Sequence, residues 1–76
     1  MRPRNRKTMS DTELLLYTQQ ALTLVYSYTL AGLREYADGN HKEAAYFRKK
    51  ASKYDKVYAI SFEECEKRGI HGQIEI

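Results

Sequence analysis

From Leu14 to Leu33 the chain carries no charged residue and no proline, and this uncharged stretch constrains the fold more than any other feature. It is about as long as a membrane span, and a basic N-terminus precedes it. Thr18, Gln19, Gln20, Thr23, Ser27 and Thr29 interrupt it, however, and so many polar side chains on one lipid-facing helix are costly. No small-residue cleavage site closes the apolar run, so a secretory signal is not expected either. The stretch reads as an amphipathic helix that needs protein neighbours, with no membrane among its expected partners.

The helix has a local start signal. Ser10-Asp11-Thr12-Glu13 has the capping-box pattern, in which the serine hydroxyl and the glutamate carboxylate each satisfy the other's backbone amide. Good helix formers then continue to about Ala37. Asp38-Gly39-Asn40 breaks the run: Gly39 can take the left-handed conformation that ends a helix, and Asn40 with Glu43 suggests a second capping box. A link this short folds the next helix back antiparallel. That helix is expected over about residues 41–68, with Lys67 and Arg68 favourable in its last turn and Gly69-Ile70 as a Schellman stop. Residues 1–9 have no apolar periodicity and read as a basic, disordered arm, leaving 10–69 as the helical hairpin. The tail 70–76 either folds back onto the helices or adds a strand elsewhere.

Placed 100° apart, the first helix carries Leu14, Leu15, Ala21, Leu22, Val25, Leu33 and Tyr36 across one side, with Tyr17, Leu24 and Tyr28 beside them, an arc of about 220°. The second helix has a narrower stripe of about 100°, made of Ala44, Phe47, Ala51, Tyr54, Tyr58, Ser61, Phe62 and Cys65. One narrow stripe covers roughly half of the wide arc. A 76-residue chain is also short of core, and a single cysteine with two histidines supplies neither a disulfide nor a zinc site. The fold expected is therefore all-α: an antiparallel two-helix hairpin that self-associates, most simply as a dimeric four-helix bundle, through Leu14, Leu15, Leu22, Val25 and Leu33.

Function is less legible. No glycine-rich phosphate loop, paired carboxylates or Cys/His cluster is present, so neither catalysis nor a cofactor is expected. Cys65 lies on the apolar stripe and reads as a buried small residue, and His41 and His71 lack metal or relay spacing. Glu63 and Glu64 stand four residues before Lys67 and Arg68 and can pair with them. Tyr28, Tyr36, Tyr54 and Tyr58 fall on core-facing positions, whereas Tyr26 and Tyr46 point away and are candidates for contacting a protein partner. The net charge of +3 is unevenly spread. Arg2, Arg4 and Arg6 in the arm, with Lys49, Lys53 and Lys56 on one face of the second helix, form a candidate phosphate-binding set, diluted by Asp55 and Glu63.

Residues 28–51 resemble a single tetratricopeptide hairpin. Tyr28 stands at the position of that family's first-helix tryptophan, Gly32 where two helices approach closely, Gly39 at the turn, and Ala44 and Ala51 at small second-helix positions. Glu35, Arg48 and Lys56 depart from the pattern, the last in place of its closing proline. Microtubule-interacting-and-transport domains have a similar hairpin within three-helix bundles. The resemblance implies a protein-binding hairpin. The expectation is a non-enzymatic, cytoplasmic interaction protein that acts as a regulator or inhibitor of a larger protein, with nucleic-acid or nucleotide binding as the alternative.

Overall fold

The computed structural model describes residues 6–74. Two helices, α1 (Asp11–Ala37) and α2 (His41–Arg68), pack against each other, and the described residues contain no strand. Short 3-10 turns at Arg6–Thr8 and His71–Gln73 flank them.

Local chemistry sets the helix ends. At the start of α1 the Glu13 amide donates to Ser10 Oγ at 3.2 Å, and the Ser10 amide donates to the Glu13 carboxylate at 3.1 Å. Both helices close in Schellman geometry. Gly39 (φ 84°) donates to the Tyr36 carbonyl while Asn40 donates to that of Glu35, and Gly69 (φ 73°) donates to Glu66 while Ile70 donates to Cys65. The second capping box expected at Asn40 does not form. Asn40 makes no side-chain cap, because its amide donates instead to the Glu35 carboxylate at 2.7 Å and ties the turn to the end of α1.

Where α1 begins and α2 ends, Leu14, Thr18, Ser61 and Cys65 are fully buried, with Met9 beside them. Half-buried Leu15, Tyr17, Ile70 and Ile74 pack around the Met9, Leu14 and Cys65 cluster. Thr18 Oγ1 donates to the Leu14 carbonyl at 2.8 Å and lies 3.6 Å from Cys65 Sγ, so its hydroxyl is satisfied inside the core. Towards the turn, Tyr28 stacks on Tyr54 and Phe47 with ring centroids 5.7 and 6.1 Å apart. The helices come together at Gly32, where a Cβ would sit 3.5 Å from the Ala44 carbonyl oxygen and from Phe47 Cβ.

The chain before α1 differs from expectation. Residues 1–5 lie outside the described residues, but Arg6–Met9 is folded rather than a disordered arm, and Met9 is buried. Arg68 is the physical reason: its guanidinium donates to the carbonyls of Met9 (2.8 Å), Arg6 (3.0 Å) and Lys7 (3.3 Å), and to the carboxylates of Asp11 (3.0 Å) and Glu64 (3.2 Å). The Arg6 carbonyl also accepts from the Met9 amide at 3.3 Å, so the guanidinium reinforces a turn that is already closed by its own backbone. The tail, as far as Ile74, folds onto the hairpin. The molecule measures 44 × 27 × 15 Å, one helix thick, so it lacks the second packed layer on which most domains rely.

Candidate functional site

Two adjacent rows of side chains run along α1 with alternating spacings of four and three, the pattern of helices that pack side by side. The first row, Leu14, Thr18, Ala21, Val25, Tyr28, Gly32 and Glu35, is buried or half-buried throughout and faces α2. The second, Leu15, Gln19, Leu22, Tyr26, Thr29, Leu33 and Tyr36, is rotated by about 100°. It is half-buried as far as Leu22 and exposed from Tyr26 onwards. Every exposed large hydrophobic of α1, namely Leu16, Tyr26, Leu30, Leu33 and Tyr36, lies on this second row or immediately beside it. At half to two-thirds exposure each, these five leave on the order of 500 Å² of apolar side chain in water, the upper end of what a monomer shows.

The row borders an open groove of about 310 Å³ between the helices. Its floor is shallow because Gly32, Ala44 and Ala51 are small, and Tyr28, Leu33, Tyr36 and Arg48 stand around it. Tyr36 was expected in the core but is 63% exposed. It sits in the last turn of α1, and its ring meets the edge of His41 at 5.1 Å.

The five residues expected to form an oligomer interface are divided by the structure. Leu14 is fully buried inside the hairpin, in the cluster with Cys65, so it belongs to the intramolecular core and is not on the outward face. Leu15, Leu22 and Val25 are half-buried, and Leu33 lines the groove. Leu16 and Leu30 were not among the interface residues expected from the sequence. Their signal was available in the seven-residue spacing of Leu16, Thr23 and Leu30, one position further round the helix from the second row.

Tyr26 and Tyr46 are each about half exposed. Tyr26 raises the pKa of Tyr58 together with Cys65 and Asp55, after burial, which contributes most. Tyr46 lies on α2 with its ring edge against Phe47 at 5.5 Å and the Lys50 ammonium 5.6 Å over its face. Lys49, Lys53 and Lys56 are all exposed on the side of α2 that faces away from α1. Arg6 lies at the C-terminal end of the same face, lining a shallow depression with Lys7, Ile60, Glu63, Glu64 and Lys67 that begins one helical turn beyond Lys56. Glu63 pairs with Lys67 at 3.6 Å and Glu64 with Arg68 at 3.2 Å, so this end is electrostatically mixed. Arg2 and Arg4 lie outside the described residues.

Among the described residues no group of three His, Cys, Asp or Glu side chains is placed to hold a metal ion, and no helix is long and apolar enough to cross a membrane. Fold and face together define an all-α helical hairpin with one apolar side left open. Compared with known family models, curated proteins and solved structures, the chain matches none. The tetratricopeptide likeness therefore rests on its local residues, of which Gly32 does sit at a close helix approach.

Proposed function

We propose that the protein is a small, non-enzymatic interaction module that self-associates through the outward row of α1 and regulates or inhibits a larger protein. The observation that carries this reading is the exposure of Tyr26, Leu33 and Tyr36 on the outward row of α1, of which Leu33 and Tyr36 line the Gly32, Ala44 and Ala51 groove, with exposed Leu16 and Leu30 one position further round the helix. Burying several such side chains contributes roughly 1.5 to 3 kcal/mol each, comparable in sum to the stability of a small domain. Exposed Tyr46 is the candidate contact for the larger partner. A cytoplasmic setting belongs to the same proposal and is supported by the single unpaired thiol, Cys65.

Light scattering on the native chain and on Leu33→Glu tests the first half of the reading. The native chain is expected to have a multimeric mass at micromolar concentration. Leu33 is 62% exposed within one hairpin, so the variant should keep its helicity and lose that mass. A fully helical native monomer would refute self-association. Binding of phosphates by Lys49, Lys53 and Lys56 is the second reading, supported by their shared exposure on α2.

A further inference from the structure

The groove continues along α2 in a way that specifies its occupant. Ala44, Arg48, Ala51 and Asp55 follow one another at spacings of four, three and four and so share one face of the helix, and the first three line the groove. Arg48 and Asp55 are both exposed, and neither makes a hydrogen bond or ion pair among the described residues. Opposite charges seven residues apart on one apolar face are self-complementary under one symmetry operation. A two-fold axis perpendicular to α2, passing beside Ala51 and Ser52, sets Arg48 of each copy against Asp55 of the other. A parallel pairing would set Arg48 against Arg48 instead.

The position of α1 agrees independently. Gly32 abuts Ala44, Phe47 and Arg48. Counting back along α1 from there, antiparallel to α2, the same axis meets α1 between Tyr26 and Thr29. Leu22 of one copy then faces Leu33 of the other, and Tyr26 faces Thr29, so the second row of α1 packs on itself in the offset that interlocking helices require. We infer that the groove side docks a second copy of this chain, antiparallel, with Arg48 of each hairpin paired to Asp55 of the other and Leu22 packed on Leu33 in a four-helix bundle. This rests on the self-association reading above and adds to it the face, the direction and the charge pair.

The test is a charge-reversal set followed by sedimentation equilibrium, with circular dichroism to verify helicity. Arg48→Asp alone and Asp55→Arg alone each juxtapose like charges at both contacts and should weaken self-association by at least about tenfold. An equimolar mixture of the two variants restores opposite charges at both contacts and should recover dimers to within about threefold of the native affinity. Both positions are exposed, so the hairpin itself should stay folded. Dimers indifferent to the single reversals, or reversals that the mixture does not rescue, would overturn this interface while leaving self-association standing. A native chain that stays monomeric would overturn both.

Discussion

Arg68 Nη1 donates to the carbonyl oxygen of Met9 at 2.8 Å, across 59 residues of chain. The last residue of α2 thereby holds the segment that leads into α1, and the same guanidinium reaches Arg6, Lys7 and Asp11. Arginine suits this position because its planar fork donates in several fixed directions at once, which an ammonium does not. Arg68→Lys should lower the thermal midpoint and free residues 6–9. Limited trypsin digestion would register the release as faster cleavage after Arg6 and Lys7 at temperatures well below the midpoint. Unchanged cleavage would mean that Met9 packing alone anchors the segment.

The two central glycines should respond in opposite directions. Gly39 has a φ of 84° with open space around it, so Gly39→Val introduces backbone strain alone and should cost about 1 to 2 kcal/mol in chemical denaturation. Gly32 is helical, and an added Cβ meets its neighbours at an ordinary 3.5 Å. Gly32→Ala should therefore stabilise the hairpin by about 0.5 to 1 kcal/mol through helix propensity. A destabilised Gly32→Ala would show that the close approach is tighter than contact distance.

Ser61 is fully buried and its hydroxyl has no hydrogen-bond partner among the described residues. Removing an unsatisfied buried hydroxyl relieves its desolvation cost, and alanine also favours the helix. Ser61→Ala should raise the urea midpoint by the equivalent of about 0 to 1 kcal/mol. A clear drop would reveal a partner for the hydroxyl.

Tyr58 has its pKa raised above 10.0, first by burial and then by Tyr26, Cys65 and Asp55. Below the unfolded value the phenol is neutral in both states and its contribution is intact. As pH rises above it the unfolded chain ionises first, so stability falls through the interval up to the folded value. The thermal midpoint should drop as pH rises above 10.0, and Tyr58→Phe should flatten part of that drop. An equal slope in the variant would assign the loss to other groups.

Lys49, Lys53 and Lys56 offer a phosphate-binding face, but Asp55 and Glu63 interrupt α2, and Arg6 sits among Glu63 and Glu64. Any complex with DNA or RNA should therefore be weak and lost near physiological salt, as expected for a few phosphate contacts. A submicromolar complex there, abolished by changing the three lysines to glutamate, would move the phosphate reading ahead of the protein-partner one.

Local signals were enough to read the all-helical class and the ends of the helices. The Ser10 and Glu13 box and the glycines at 39 and 69 act over three to six residues, so chemistry written in the sequence decides them without reference to distant chain. The uncharged run from Leu14 to Leu33 likewise showed that α1 has more apolar surface than one partner helix can cover. Which part is covered was decided only by the tertiary structure. Leu14 and Leu33 lie on one apolar arc in sequence, yet the first is fully buried and the second is 62% exposed. The termini close over the Leu14 end through Met9, Ile70, Ile74 and the Arg68 fork, whereas at the Leu33 end the small side chains of Ala44 and Ala51 leave a groove. Asn40 shows the same division, since its pattern with Glu43 fits a cap but Glu35, brought alongside by the turn, takes its amide. Periodicity gives the direction of a side chain around its own helix, and contact depends on where the other elements lie, which only the packed chain specifies.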